Sequence, residues 1–152
     1  MHSPKLKFLL ALAASLVCSS ALADLPVALI DESSLPYNLS PSNYDNSPSN
    51  YDNSESNYDN SASNYDNGRS GERRLIYKDG GSPKFAGYYV AAKNGTTNFF
   101  SPRGKRVFYN PKKGRGIFGG KDGTFCGVLA QVNGELSLAL TERGAKILLL
   151  SE

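Results

Sequence analysis

Hydrophobic and polar residues are distributed along this chain in three different ways. Residues Phe8 to Val17 (FLLALAASLV) form an unbroken apolar run. From Pro41 to Gly68 apolar residues almost vanish, and one tyrosine returns at every seventh position. Beyond residue 72, short runs of β-favouring residues alternate with Gly-rich punctuation, and no stretch shows the apolar spacing of a capped amphipathic helix. These textures predict three segments: an export signal over 1–23, a polar region over 24–71 with repeats at 41–67, and a β domain over 72–152.

In the last segment the strand candidates are Leu75–Tyr77, Phe85–Lys93, Thr96–Phe100, Lys105–Tyr109, Ile117–Phe118, Thr124–Val132, Glu135–Thr141 and Ala145–Leu150. Asn94-Gly95 and Asn133-Gly134 are hairpin turns by composition. The last run is apolar on both alternating faces, which predicts a central strand. The predicted core is Leu75, Phe85, Tyr89, Phe99, Val107, Phe108, Ile117, Phe125, Val128, Leu136, Leu138, Leu140, Ile147 and Leu149.

The strands fall into two matching halves, about 74–109 and about 115–149. Phe85-Ala86-Gly87 aligns with Phe125-Cys126-Gly127, Asn94-Gly95 with Asn133-Gly134, and Arg103-Gly104 with Arg143-Gly144. An all-β fold of about eight short antiparallel strands follows, a two-repeat sandwich or flattened barrel preceded by a disordered repeat tail. The order F-x-G, N-G, R-G-x-[KR]-[VI] over residues 85–109 and 125–149 resembles the WG (KWG)-type β-repeat proteins, without the Trp-Gly pair that names them. The resemblance implies a scaffolding or binding repeat and carries over no catalytic residue.

The polar segment reads SNYDNSP, SNYDNSE, SNYDNSA, SNYDNG, with Tyr37-Asn38-Leu39-Ser40-Pro41 as a decayed earlier copy. One apolar position in seven does not make a coiled coil, and Asn, Asp and Ser favour turns over helix. Ordering costs about 1–2 kcal/mol per residue, more than one tyrosine per repeat offsets, so a disordered region with transient turns is predicted. Its aspartates are seven apart and its full repeats lack the turn glycine of a calcium loop. Charge is segregated: residues 24–67 carry eight acidic and no basic residues, whereas 68–152 carry 15 Lys and Arg against six Asp and Glu, a net +9. The tail is therefore expected to lie loosely over a basic face through weak, salt-screened attractions.

Lys5 and Lys7, the apolar run and Ala21-Leu22-Ala23 form a signal peptide cleaved after Ala23, which predicts a secreted or periplasmic protein. His2 and Cys18 leave with it, so the processed chain has no His, no Trp and one cysteine, Cys126. Ser-His-Asp and Cys-His nucleophiles, His-ligated zinc and an internal disulfide are excluded. Cys126 reads as a small buried hydrophobe, with an intermolecular disulfide as the alternative. Asp79 and Asp122, in matching K-D-G turns, are the one carboxylate pair that a two-fold would bring together, although turn chemistry accounts for each.

The densest basic run is Arg103, Lys105, Arg106, Lys112, Lys113 and Arg115, with Tyr109 inside it. Cations interleaved with an aromatic form a candidate polyanion patch, although strand alternation turns Arg106 away from Lys105. No catalytic set, metal site or cofactor is predicted. The expected function is that of an exported, non-catalytic binding or structural module of the cell envelope or exterior. One alternative is a module for an envelope polyanion such as lipopolysaccharide, or for extracellular DNA, autoregulated by the acidic tail. Another is an inhibitor or effector that docks on another exported protein.

Overall fold

The computed structural model describes residues 23–79 and 82–151. Eight strands close into a barrel: β1 (Leu25–Leu29), β2 (Arg73–Asp79), β3 (Pro83–Ala91), β4 (Thr97–Phe100), β5 (Arg106–Asn110), β6 (Gly116–Gly119), β7 (Phe125–Val132) and β8 (Glu135–Leu140). A helix, α1 (Glu142–Leu150), follows. Neighbours from β2 to β8 pair antiparallel, and β1 closes the ring by pairing parallel with both β2 and β8. The all-β class and the barrel form expected from the strand pattern are those of the chain. The predicted signal lies, except for Ala23, outside the described residues.

Strand β1 corrects the boundary drawn between 71 and 72, because residues ahead of the repeats supply a stave of the barrel. Its Pro26 has no N–H to give to a ladder. It sits opposite Tyr77 of β2, while pairing with β8 begins only at Val27, so the proline has a strand on one side only. A closed barrel leaves no open edge for another chain to join.

The two halves carry bulges at matching places. Between Ile76 and Tyr77 the β2–β3 register slips opposite Gly87, and between Ile117 and Phe118 the β6–β7 register slips opposite Gly127. Both glycines have positive φ, +144° and +156°. The second unit departs from the first at its end. Ala145–Leu150, predicted as a central strand, belongs to α1. Thr141 caps that helix by accepting from the Gly144 N–H, Glu142 stands in its first turn, and the Ala, Lys and Leu residues that follow are strong helix formers. Strand β1 takes the stave position that this segment leaves.

The barrel interior holds Leu25, Ile76, Tyr89, Phe99, Phe108, Ile117, Cys126, Leu138 and Leu140, and Leu148 of α1 packs against it. Three predicted core residues point outward instead: Leu75, Phe85 and Leu149 are 47%, 51% and 59% exposed. For Phe85 the cause is the bulge, whose extra residue Ala86 in β3 turns Phe85 away from the face that Tyr89 shares. In the unbulged β2 the inward residue is Ile76, which leaves its neighbour Leu75 outward. Leu149 lies on the outer face of a helix rather than on a strand. Cys126 is fully buried, its Sγ donating to the Thr124 carbonyl at 3.4 Å, and burial pushes the thiol up to about 11. The intermolecular disulfide considered for it has no route in the folded barrel.

Candidate functional site

The repeat region is an ordered belt and not the disordered tail predicted for 24–71. Each copy folds into a 3-10 turn, at Tyr44–Asn46, Tyr51–Asn53, Tyr58–Asn60 and Tyr65–Asn67, and the decayed copy does the same at Tyr37–Leu39. The two asparagines of a copy have different tasks. The first (Asn43, Asn50, Asn57, Asn64) caps the turn, its Oδ1 accepting from the aspartate N–H two residues on at 2.9–3.0 Å. Serines at positions 40, 47, 54 and 61 make the matching hydroxyl turns between copies.

The second asparagine (Asn46, Asn53, Asn60, Asn67) is buried, and its Nδ2 donates to two carbonyls six and eight residues back. Those carbonyls flank the residue one period earlier, so each heptad is one coil lying on the previous coil. Leu39 occupies the same inward position at the base of the stack. These bonds, each worth about 0.5–1.5 kcal/mol net, are the ordering term that a count of apolar residues omits.

The barrel wall supplies the rest. From β1 the chain passes Leu140 of β8 through Ile30 N–H, and Leu35 and Leu39 pack on Ala139, Val128, Phe118 and Tyr109 of β8, β7, β6 and β5. Further on, Asn67 Oδ1 accepts from Asn98 Nδ2 of β4 at 3.1 Å, and Gly71 lies beside Val90 of β3. Thus β1 and β2, adjacent in the barrel, are joined by a belt that runs the long way around its outside.

Two predicted patch residues hold this belt. Tyr109 is fully buried and donates to the Asn53 carbonyl at 2.8 Å. Arg106 donates through Nε to Asn98 Oδ1 at 2.9 Å and through Nη2 to the Asn60 carbonyl at 2.7 Å, with its guanidinium 5.0 Å from the Tyr109 ring centre. Burial lowers the Arg106 pKa, and Nη1 is buried without a partner. Both residues face the belt, so the patch is split. Arg103 and Lys105 are exposed, in the turn before β5. Lys112, Lys113 and Arg115 line a cavity of about 340 Å³ together with Asp45 and Asp52 of the belt, although no ion pair at contact distance joins the two sets. Lys146, aligned with Arg106 by sequence, is exposed on α1.

Burial, then the Glu55 charge, raises the Tyr109 pKa, and burial pushes Tyr89 up to about 12. A phenol whose folded pKa is raised keeps its proton where the unfolded chain has lost it. Its stabilisation is therefore full below the ordinary value of 10.0 and declines as pH rises above it. Urea midpoints measured from pH 7 to 11 are expected to fall above about pH 10. Tyr109→Phe should cost about 1 kcal/mol of stability at neutral pH, seen as a lower urea midpoint, and flatten that fall.

Asp79 and Asp122 are not brought together. Their turns follow β2 and β6, which stand on opposite walls with three strands between them either way. Asp122 Oδ1 accepts from the N–H and hydroxyl of Thr124 at 3.2 and 3.0 Å, a turn contact.

What sequence reasoning missed is the outer face of the belt. Tyr37, Tyr44, Tyr51 and Tyr58 are 60–67% exposed and Tyr65 is 93% exposed. Among the described residues none of the five side chains makes a hydrogen bond, an aromatic pair or a cation–π contact. The aspartates that follow four of them, Asp45, Asp52, Asp59 and Asp66, are exposed as well. The available signal was Leu39, an apolar residue standing where every other copy has its second asparagine: it marks that position as inward and the tyrosine as outward. Among the described residues no group of His, Cys, Asp and Glu is arranged to hold a metal, and no helix is long and apolar enough to cross a membrane. Comparison of the chain with family models, with curated proteins and with solved structures finds no match.

Proposed function

We propose that this chain is an exported, non-catalytic binding module in which the barrel is a rigid mount and the outer row of the belt is the working surface. One observation carries the reading. Five tyrosines occupy the same position in successive coils, mostly exposed and with no side-chain hydrogen bond or ring contact among the described residues. Exposed aromatics placed in register are costly to leave in water without a partner, and large aromatic side chains dominate recognition surfaces. The inner asparagines fix the coils, so the row is presented without an ordering cost at binding.

A second reading, a polyanion site restrained by the belt, is favoured by the cavity that Lys112, Lys113 and Arg115 share with Asp45 and Asp52. Co-sedimentation of the purified protein with isolated cell envelopes separates the two. Under the first reading, Tyr44→Ala/Tyr51→Ala/Tyr58→Ala lowers retention at least about 10-fold, and Lys112→Glu/Lys113→Glu leaves it unchanged. The opposite result would transfer the site to the cavity.

A further inference from the structure

We infer that the ligand of this row is a linear polysaccharide without negative charge, lying along the belt with its sugar rings on successive tyrosines. The inference rests on the reading of the belt as the working surface and adds the chemistry of what it holds.

Geometry sets the first condition. Tyr37, Tyr44, Tyr51, Tyr58 and Tyr65 are copies of one site, and each coil is tied to the last by the same pair of asparagine bonds. The step between sites is therefore constant. A row of identical, individually weak sites at a constant step gains affinity only for a ligand that repeats in the same way, because each further contact is made at high effective concentration. A compact ligand would reach one or two tyrosines and leave the others idle.

Charge sets the second. Residues 24–67 carry eight carboxylates and no cation, and an exposed aspartate follows each of the last four tyrosines. Aromatic rows also stack nucleobases, but single-strand binders join them to a positive groove that tracks the phosphates. Here the groups beside the rings in the belt itself are carboxylates, which disfavour phosphate, sulfate and uronate chains along the row. Between residues 24 and 152 every cation lies beyond residue 67; Arg106 faces inward onto the Asn60 carbonyl, and Lys112, Lys113 and Arg115 stand beside Asp45 and Asp52 rather than in the tyrosine row.

Surface chemistry sets the third. A phenol ring offers a flat apolar face with a hydroxyl that both donates and accepts, and the neighbouring carboxylates are pure acceptors. A pyranose matches this alternation, with C–H groups on its faces and hydroxyl donors around its rim. An extended apolar peptide would use the rings but bring only its backbone N–H groups to the acceptor row.

The test is calorimetry of the purified protein with uncharged cello- and chito-oligosaccharides of two to six units, with dextran sulfate as competitor. Affinity should rise with each unit to about five, one per tyrosine, and then level off. Tyr51→Ala should weaken it about 3- to 10-fold and Tyr51→Phe far less, with unchanged urea midpoints because these rings point to solvent. Dextran sulfate should not compete. Competition by dextran sulfate, or length-independent affinity, overturns the inference. If no oligosaccharide binds while the tyrosine variants still lose envelope retention, the glycan is wrong and the working surface stands. If retention also ignores the tyrosines, both fall.

Discussion

Gly127→Ala is expected to destabilise the barrel by more than about 3 kcal/mol, several times the effect of an ordinary substitution. Gly127 has φ +156°, and a Cβ there would lie 2.1 Å from the Ala139 carbonyl oxygen. The obstacle is backbone of the paired strand β8, which cannot move without giving up its ladder. Gly87, its counterpart in the first unit, has φ +144° and would place a Cβ 2.2 Å from the Phe100 carbonyl oxygen of β4, so Gly87→Ala should behave alike. Gly134 separates the two effects. Its φ of +84° strains any side chain, yet nothing lies within 4 Å of its Cβ position. Gly134→Ala should therefore show backbone strain alone, about 1 kcal/mol. Urea unfolding of the three variants checks the ranking. A cost at Gly127 no larger than at Gly134 would mean that the bulged strands slide apart freely, and the bulge would not be what fixes the register.

These two glycines also mark what the sequence made legible. F-x-G, the Asn-Gly turns and the order of short apolar runs are local features, and they led to seven of the eight staves. Strand β1 escaped because Leu-Pro-Val-Ala-Leu has no alternation and pairs with β2 and β8, far along the chain. The helix α1 escaped because apolarity on both alternating faces describes a buried strand and an amphipathic helix equally well, and the Thr141 cap was the feature that decides between them. Phe85 was placed inward because a period-two count does not survive a bulge, and Leu75 because the short run Leu75-Ile76-Tyr77 does not say which of its two faces is inward. The basic run was legible as a run, but not its partition. Arg106 and Tyr109 meet the belt through bonds to residues some 50 positions earlier, and no local spacing announces that. The belt itself was the largest miss. Its order comes from side-chain amides reaching the previous coil and from an apolar wall supplied by another part of the chain, terms that composition does not contain.

Asn60 is where both terms meet, and its replacement should have the other large effect. Its Nδ2 donates to the Asp52 and Ser54 carbonyls at 2.9 and 3.0 Å, its own carbonyl accepts from Arg106, and it is 1% exposed. Asn60→Ala leaves two carbonyls without donors at a buried position, a loss of about 2–4 kcal/mol. Asn60→Asp is worse near neutral pH, because a carboxylate then faces two carbonyl oxygens with nothing to donate. When protonated, that side chain regains one donor, so the Asp variant should recover stability as pH falls through its raised carboxyl pKa, whereas the Ala variant should not. The belt is the only covalent path from β1 to β2, and it covers Tyr109 and Phe118. Its loosening should therefore lower the midpoint of the whole barrel in one transition. Hydrogen exchange of amides 52–68, followed beside the urea midpoint, tests this. Fast exchange in the belt of Asn60→Ala with an unmoved barrel midpoint would show that the two fold independently, and that the barrel needs β1 but not the path that leads from it.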